Sequence, residues 1–387
     1  MIDIKRKEDC VGCGACIDIC NKNAIEFITD IEGFWYPKVD TNKCVNCGMC
    51  EAVCPIINSK KINSTNTDKP IAYAAYNLNR EIQFESTTGG LFSALAQKML
   101  DQGGYIAGAI WTKNHMVEHI VSNKHDDLNL IRGSKYLQSN TTGLYKKISK
   151  LLSLGENVLV CGCPCQMAAL RSFLKYKNFD NLIIVDFICC SINSPKLFRK
   201  YLDSLENEYG SKILKYHPKN KEYGGWHNFA FKATFENGNI YVKNTIDDDF
   251  TRCFIGTHIA GRPCCYECKF KMIPRVADIT IADFWGIENV DPVMDNKYGT
   301  SLVIANNTKG RNFFFSIRDV ICEKEESLEK ATAFNQHLIK SLSPSLINRK
   351  KFYLSLDRNG FRYVMDKYGY INNKWYKKII SKITNRF

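Results

Sequence analysis

The stretch Cys161-Gly162-Cys163-Pro164-Cys165-Gln166 decides how the centre of the chain folds. An apolar run that ends at Val160 precedes it and a helical pattern begins at Met167, so we expect a strand, a tight Gly/Pro turn and the start of a helix. Backbone N–H groups at a helix N-terminus suit an anionic cofactor, and their field also stabilises thiolates. The stretch therefore predicts a cofactor or metal site at this turn.

The composition indicates a metalloprotein with more than one domain. The chain has 387 residues, of which 45% are hydrophobic, enough for a buried core in each of two or more domains. Its 18 cysteines are clustered, and its charged first residues do not resemble a signal peptide. No apolar stretch is long enough to span a bilayer. We therefore expect a cytoplasmic protein whose cysteines bind metal rather than form disulfides.

The net charge of +13 would suit nucleic acid, an anionic membrane face or acidic small molecules. A solvated surface rich in lysine and asparagine explains the same charge, and we prefer that explanation, so no nucleic-acid partner is expected. The tail at residues 375–383 is basic and amphipathic and would suit peripheral contact with a membrane. Such a helix is more often a solvated terminal one, and both interpretations of the tail stay open.

Residues 1–58 contain two runs of four cysteines with the spacing C-x2-C-x2-C-x3-C. This is the signature of bacterial ferredoxins with two [4Fe–4S] clusters, in which the fourth cysteine of each run binds the other cluster. Asn21 stands where the first run would have proline, whereas Pro55 follows the second run. A structural zinc site needs only four ligands, so two complete runs favour clusters. The expected ligands are a first set, Cys10, Cys13, Cys16 and Cys54, and a second set, Cys44, Cys47, Cys50 and Cys20.

Alternating strand and helix patterns follow a polar linker at residues 59–70. Strands are predicted at 71–76, 104–111 and 182–188, and a helix is predicted at 91–100. This alternation is typical of α/β folds.

A third group of cysteines is predicted to meet at the ends of neighbouring strands. Cys165 follows the strand that ends near Val160, and Cys189 follows the strand at 182–188. Ligands usually lie where the strands of α/β sheets end, so these two thiols would lie side by side. Cys265 and Cys268 form a C-x2-C pair that would complete a four-thiolate site, here called the third set. A structural zinc site needs the same four ligands, so zinc and an iron–sulfur cluster both stay open.

Three further stretches offer groups for an aromatic, anionic ligand. Three hydroxyl residues and two glycines precede the helix at 91–100 and would cradle a phosphate, although Ser and Thr are also ordinary N-caps. Lys135 and Tyr136 lie among small residues, where a surface loop is an equal alternative. Arg275 and Trp285 lie at the two ends of a strand-like segment. A flat tryptophan and a fixed arginine suit such a ligand, although Trp285 would also suit a core.

Six motifs in a fixed order resemble the beta subunit of coenzyme F420-reducing hydrogenase and dehydrogenase. The resemblance covers most of residues 1–310. Similar bacterial proteins carry an N-terminal ferredoxin module, and many are linked to polysaccharide biosynthesis. The motifs are Ser86-Thr87-Thr88-Gly89-Gly90-Leu91-Phe92, Gly133-Ser134-Lys135-Tyr136, Cys163-Pro164-Cys165-Gln166, the segment from Asp186 to Cys189 with Ser194-Pro195, the segment from Arg262-Pro263 to Cys268, and the segment from Arg275 to Trp285.

The resemblance implies FAD, an iron–sulfur cluster in the flavin domain and, in archaeal members, the deazaflavin F420. By position, the third set matches the family's cluster cysteines, and residues 86–92 and Lys135 lie in its flavin-binding segments. Cys163 stands where a threonine is usual, and Cys190-Ser191 stands where the family often has His-Gly. The expected cofactor contacts are Ser86, Thr87, Thr88, Gly89, Gly90, Lys135, Gln166, Arg275, Asp283 and Trp285.

We therefore expect a mixed α+β and α/β architecture. A ferredoxin-like domain precedes a linker, a mixed α/β flavin-binding domain in two regions, and a helical, basic tail. The expected bounds of these five segments are 1–58, 59–70, 71–150, 151–310 and 311–387.

The expected function is that of an iron–sulfur flavoprotein oxidoreductase. It would move electrons between a two-electron carrier (F420 or similar), FAD and [4Fe–4S] clusters, within polysaccharide biosynthesis. Cofactors would carry the chemistry, so we assign no catalytic side chain, neither His227 nor His258. The expected partners are a redox protein or complex and a small hydride carrier. Two alternatives are a non-catalytic electron-transfer or docking subunit of a larger redox complex and a zinc-stabilised scaffold.

Overall fold

The structure is a computed structural model that describes residues 1–369, so the tail predicted at 375–383 lies outside the described residues. The N-terminal module consists of an antiparallel hairpin and two short helices, one helix within each cysteine run. These elements are β1 (Ile25–Thr29), β2 (Trp35–Val39), α1 (Ala15–Asp18) and α2 (Met49–Ala52).

The segment at residues 59–70, predicted as a linker, lies against the main domain. It begins with the helix α3 (Ser59–Asn63), whose Ile62 side chain is fully buried. Asn66 Nδ2 donates to the backbone oxygens of Arg275 (2.6 Å) and Ala277 (2.9 Å). These bonds hold the segment in one place.

The strands that follow form two sheets. They are β3 (Ile71–Asn77), β4 (Tyr105–Trp111), β5 (Val117–Ser122), β6 (Ser139–Asn140), β7 (Val158–Gly162), β8 (Leu182–Phe187), β9 (Ile213–Asn220), β10 (Ala230–Phe235), β11 (Ile240–Asn244), β12 (Ile279–Asp283), β13 (Ser301–Ala305) and β14 (Ile321–Glu326). The larger sheet has nine strands in the order β14-β3-β13-β12-β8-β7-β4-β5-β6, and the smaller has the order β11-β10-β9.

The larger sheet directs five carboxyl ends to one edge. The strands β12, β8, β7 and β4 are parallel neighbours. The strand β3 runs in the same direction, because β13 is antiparallel to both β3 and β12. Side chains that follow these five strands therefore come close together, as is usual in α/β sheets.

Helices lie on both faces of the large sheet and beside the small sheet. They are α4 (Arg80–Glu85), α5 (Leu91–Asp101), α6 (His125–Ile131), α7 (Leu144–Ser153), α8 (Pro164–Phe173), α9 (Pro195–Tyr209), α10 (Asp249–Thr251), α11 (Ile287–Val290), α12 (Thr308–Phe315), α13 (Leu328–Thr332) and α14 (Arg349–Tyr368). Successive residues of β7 point to opposite faces. Val158 and Val160 pack in the core under α7 and α8, and Leu159 packs in the core under α5 and α6.

The C-terminal part combines helices with one strand. The helix α14 packs on α9 in a core that also includes β9 and β10. The strand β14 pairs with β3 at the edge of the large sheet, so residues 311–369 are not wholly helical. The architecture is the mixed α/β fold that the sequence predicts, with a small N-terminal domain and a helical end. In the part of the chain that the structure describes, no helix has the length and apolarity that crossing a membrane requires.

Candidate functional site

Both cysteine runs of the N-terminal module have the same backbone conformation. Gly12 and Asn46 occupy corresponding positions and have φ of 67° and 52°, and Gly14 and Gly48 have φ of 75° and 73°. These left-handed conformations turn each loop sharply just before α1 or α2 begins. The repeat in the sequence is therefore also a repeat in loop geometry.

The first set lines one apolar cavity together with Pro55. Burial raises the pKa of Cys13, and the nearby thiols of Cys16, Cys54 and Cys10 raise it further. Cys54 thus joins the three cysteines of the first run, in the crossed arrangement typical of two-cluster ferredoxins. Because a thiol must lose its proton to bind iron, folding and metal binding are coupled at this set.

The second set lies nearer the surface of the module. Cys47 is exposed and Cys44 is half-buried. Backbone N–H groups donate to the thiols of Cys50 (3.2 Å) and Cys20 (3.4 Å). Cys20 and Cys50 also pack in one apolar cluster. N–H groups aimed at sulfur suit thiolates that hold a cluster.

The third set lies at the carboxyl ends of the parallel neighbours β7 and β8. Cys165 lies in the first turn of α8, and Cys265 lies in a 3₁₀ turn, Pro263–Glu267, with Cys268 directly after it. The N–H of Ile192, which follows β8, donates to Cys265 Sγ (3.4 Å). The thiol of Cys163 lies within hydrogen-bond reach of both Cys165 and Cys189. The four predicted thiols are thus brought to one place.

Two further thiols favour negative charge on the third set. A hydrogen bond from the Cys264 thiol lowers the pKa of Cys265 to about 7. A hydrogen bond from the Cys163 thiol likewise lowers the pKa of Cys189. In contrast, burial raises the pKa of Cys268 to about 12. Cys163 and Cys264 therefore act as thiol donors to their neighbours when no metal is bound.

Within residues 1–369, no three His, Cys, Asp or Glu side chains are arranged to hold a single metal ion. The cysteines of a [4Fe–4S] cube bind different iron atoms, so they surround the cube rather than meet at one point. Four thiols carried by three segments of the chain, as in the third set, fit that arrangement.

The first and third sets are neighbours across the contact between the two domains. The hydroxyl of Tyr145 donates to the backbone oxygen of Cys13 (2.8 Å). Burial raises the pKa of Tyr145, and the thiols of Cys13 and Cys165 raise it further. Tyr145 therefore lies close to one cysteine of each set.

Asp283, at the carboxyl end of β12, is the centre of a polar cluster on the same edge of the sheet. Its carboxylate accepts from Lys219 Nζ (2.8 Å to each oxygen), from Trp226 Nε1 (2.8 Å) and from the Thr88 hydroxyl. The rings of Trp226 and Trp285 stack with centroids 5.1 Å apart and planes 9° apart. Burial alone would lower the pKa of Lys219, but the attraction of the Asp283 carboxylate is among the effects that outweigh burial, and the pKa is raised above its ordinary value. The pair is therefore charged.

Sequence reasoning missed Lys219 and Trp226. Lys219 lies in β9 of the small sheet, 64 residues before Asp283 in the chain. Neither residue belongs to a local motif, and only the packing of the small sheet on the large one brings them to Asp283.

Most of the predicted cofactor residues bond within the protein. Lys135 Nζ donates to the backbone oxygens of four residues at the end of α6 (2.7–3.0 Å), and burial lowers its pKa to about 7. Gln166 caps α8 through the N–H of Cys163 and also donates to Ser139 Oγ, both at 2.9 Å. The side chain of Arg275 pairs with Asp186 (3.0 Å).

The glycine-rich loop packs tightly against the sheet. A Cβ atom at Gly89 would lie 2.8 Å from the Ala75 oxygen, and Gly90 has φ of 83°. Ser86 Oγ donates to the Ile82 oxygen (2.7 Å), and Thr87 Oγ1 accepts from the backbone N–H of Ser134 (2.8 Å). The loop therefore needs its glycines for packing and for the turn into α5.

The N-terminus of α5 retains groups that suit an anion. No side chain caps it, and the first N–H groups of a helix have no partner within the helix. Arg132 Nε donates to Ser93 Oγ (2.9 Å), which places a half-buried guanidinium at the first turn of α5. A phosphate or diphosphate group fits this combination.

Comparisons with known proteins identify two kinds of domain in the chain. Residues 72–146 and 155–330 match the N-terminal and C-terminal parts of the coenzyme F420 hydrogenase/dehydrogenase beta subunit, and residues 9–56 match a 4Fe-4S dicluster domain.

Two curated relatives come from archaea. One, a subunit of the F(420)H(2) dehydrogenase of Methanosarcina mazei, is 22% identical over 48% of this chain and 55% of its own length. The other, the coenzyme F420-dependent sulfite reductase of Methanocaldococcus jannaschii, is 31% identical over 43% of this chain and 25% of its own length. The chain thus spans about half of the first relative and a quarter of the second.

Among solved structures, a chain from the xenon-derivatised F420-reducing [NiFe] hydrogenase complex of Methanosarcina barkeri aligns with a TM-score of 0.47 and 18% identity. The alignment covers 79% of this chain and 92% of that one. By the two family matches, the chain belongs to the coenzyme F420 hydrogenase/dehydrogenase beta subunit family, and it carries a 4Fe-4S dicluster domain at residues 9–56.

Proposed function

We propose that the protein is an iron–sulfur flavoprotein oxidoreductase that exchanges electrons with a two-electron carrier and a protein partner. The observation that carries this proposal is the proximity of the first and third cysteine sets, with Tyr145 close to one cysteine of each. The second set, with Cys47 exposed, would face the partner. The three sets would thus form a path from the interior of the flavin domain to the surface.

When bound, [4Fe–4S] clusters pass single electrons, and a flavin converts them to and from a hydride. The contribution of the chain is to hold these groups at short distances and away from water. Cys13, Cys16 and Cys265 are buried. Thiolates in such surroundings need the positive charge of iron and backbone N–H donors to remain ionised.

FAD is the flavin that we propose, and the N-terminus of α5 with Arg132 is the place for its diphosphate. Trp285 is half-buried beside Lys219, whose Nζ lies 5.0 Å from the centre of the tryptophan ring. An aromatic face beside a cation suits a planar, anionic ring system. Lys135, Gln166 and Arg275 would support the site indirectly, since each is bonded within the protein.

The proposed carrier is coenzyme F420 or a compound of similar chemistry, because two relatives are named for F420. The proposed partner is a further subunit of a redox complex, since one relative is a dehydrogenase subunit. A role within polysaccharide biosynthesis is part of the proposal and rests on the sequence resemblance alone.

The test begins with purification of the full chain without oxygen. We expect about twelve iron atoms and one FAD per chain, and bleaching of the flavin by reduced F420. NAD(P)H would be tested in parallel with reduced F420, and bleaching by NAD(P)H alone would reject F420 as the carrier. About eight iron atoms and no flavin would reject the proposal.

A cysteine variant tests the third cluster. Cys265→Ser should remove about four iron atoms and one paramagnetic signal, and should leave the two ferredoxin signals intact. Cys253→Ser is the matched control, because Cys253 is a buried cysteine outside the three sets that contacts Met365. Unchanged iron content in Cys265→Ser would refute the third cluster. If the unaltered protein instead contained zinc and less iron than three clusters need, the zinc-stabilised scaffold would be favoured.

A second candidate function is that of an electron-transfer or docking subunit without flavin. The internal bonds of Lys135, Gln166, Arg275 and Asp283 favour it, because these side chains have few donor or acceptor atoms left for a cofactor. Twelve iron atoms without flavin, after gentle purification, would select this function over the first.

A further inference from the structure

Arg262 is buried at the contact between the ferredoxin module and the flavin domain. Its side chain is 0% exposed. Its Nε donates to the backbone oxygen of Cys10, its Nη1 to Gln138 Oε1 and its Nη2 to the backbone oxygen of Trp35, each at 2.9 Å. The guanidinium also lies over the ring of Tyr36, 4.2 Å from its centroid. Its position is thus fixed by both domains.

Within residues 1–369, no carboxylate pairs with Arg262, whereas the buried Arg171 and Arg275 and the half-buried Arg349 each have such a partner. Arg275 pairs with Asp186, Arg171 with Asp278, and Arg349 with Glu32. A buried and unpaired charge is costly, and buried charges in proteins are normally paired or lie at a metal site. The buried guanidinium of Arg262 therefore needs a negative partner other than a carboxylate side chain.

The ionisable groups that act on the Arg262 guanidinium include one cysteine of the first set and one of the third. Cys10 belongs to the first set, and its backbone accepts from the Arg262 side chain. Cys265 belongs to the third set, and its N–H donates to the Arg262 backbone oxygen (2.9 Å). Cys264, which donates to Cys265, is also buried nearby. A [4Fe–4S] cluster with four thiolates carries net negative charge, so loaded sets would supply the partner that Arg262 lacks.

We propose that Arg262 is a positioning residue that raises the reduction potentials of the first-set and third-set clusters relative to that of the second set. Reduction adds one electron to a cluster and makes it more negative. A fixed cation in a low-dielectric interior stabilises the reduced form more than the oxidised form. At the second set, Cys44 and Cys47 lie towards solvent. The ammonium of Met1, which donates to Asn46 Oδ1 (3.1 Å) in that loop, is itself exposed, so water screens its charge. This inference rests on the clusters of the proposed function.

The experiment is a redox titration of the anaerobically purified full chain, followed by electron paramagnetic resonance. In Arg262→Gln, we expect the potentials of the first-set and third-set clusters to fall by at least 59 mV, a tenfold change in the one-electron equilibrium constant. The potential of the second-set cluster should stay the same and serves as an internal reference. Equal shifts of all three clusters, or no shift, would overturn the inference.

Arg349→Gln is the matched control. Arg349 lies at the same domain contact, but its charge is balanced by Glu32, so its loss should not move the cluster potentials. A shift in Arg349→Gln equal to that in Arg262→Gln would show that loosening of the contact is the cause, which contradicts the inference.

Arg262→Lys covers the case in which Arg262→Gln does not retain its clusters. It keeps the charge and loses the fixed fork of donors, so we expect potentials close to those of the unaltered protein. A fall of 59 mV or more in these potentials in Arg262→Lys, a tenfold change in the one-electron equilibrium constant, would overturn the inference. Iron analysis separates the two proposals: missing clusters in the unaltered chain refute the proposed function, whereas loaded clusters with unshifted potentials refute only the role of Arg262.

Discussion

The ammonium group of Lys135 holds the end of α6 together. It donates to the backbone oxygens of Leu130, Ile131, Arg132 and Gly133 at 2.7–3.0 Å. The last carbonyl groups of a helix have no partner within the helix, and a lysine can bond them. Lys135 therefore supplies a C-terminal cap, and it would act on the proposed flavin site only through the position of the loop that follows α6.

A substitution of Lys135 tests this structural role. In Lys135→Met, several carbonyl groups lose their donor, and we expect the free energy of unfolding to fall by about 1–3 kcal/mol. The apparent melting temperature should fall accordingly, while the flavin content of the purified chain should not change. The measurement is thermal unfolding by circular dichroism together with flavin absorbance.

Lys124→Met is the control, because Lys124 is exposed at the other end of α6. We expect it to change the free energy of unfolding by less than about 0.5 kcal/mol. If Lys135→Met melted like the unaltered chain but had lost its flavin, Lys135 would be a direct cofactor ligand, as the resemblance implies.

At the scale of elements, the two cysteine loops provide a matched pair of glycines. Gly14 and Gly48 precede α1 and α2 with φ of 75° and 73°. A Cβ atom at Gly48 would meet nothing within 4 Å, whereas one at Gly14 would lie 2.9 Å from Thr141 Oγ1. The loops therefore have the same backbone requirement, but at Gly14 the first is packed against the main domain, whereas Gly48 faces open space.

Alanine substitutions should separate these two effects. Gly48→Ala should lower the free energy of unfolding by about 1–2 kcal/mol, the cost of a left-handed residue with a side chain. Gly14→Ala should lower it further, because Thr141 must also move away from Cys13, whose oxygen it bonds. Thermal unfolding and iron content of both variants are the measurements, and equal losses would contradict the packing argument.

The elements that the sequence predicts well are those with local causes. Cysteine spacing decides the loops of the first two sets, which have left-handed residues at the same positions. The approach of Cys165 and Cys189 follows from one further rule, that parallel strands end at a common edge. For these features, residues near in the chain determine the geometry.

The remaining features depend on contacts between distant segments. Arg262 bonds to Cys10, which is 252 positions away, and Lys219 bonds to Asp283, 64 positions away. The strand β14 joins the large sheet next to β3, which begins 250 residues earlier. No local pattern encodes such a pairing, so a polar residue like Lys219 cannot be told from a surface lysine by sequence alone.

At the scale of the whole molecule, side-chain contacts hold the ferredoxin module against the main domain, in addition to the covalent link between them. Asp18, buried at the contact, accepts from the backbone N–H groups of Gly143 (2.6 Å) and Tyr145 (3.0 Å) at the start of α7. Elsewhere on the same contact, Lys196 Nζ donates to the Ile31 oxygen (2.9 Å), and Arg349 pairs with Glu32. Such contacts fix the distance between the first and third sets, which the proposed electron transfer would require.

Limited proteolysis tests whether docking survives a break in the chain. Lys60 and Lys61 are exposed between the domains and offer sites for trypsin, whereas the bond after Lys69 is resistant because Pro70 follows it. After a single cut there, we expect the module and the main domain to elute together from a sizing column, because their contacts do not depend on the covalent link.

Asp18→Ala leaves two N–H groups at the start of α7 without their acceptor, so the cut fragments should separate. Asp3→Ala, at an exposed carboxylate, should behave like the unaltered chain. Separation of the unaltered fragments would mean that the linker, and not the interface, holds the first set near the third.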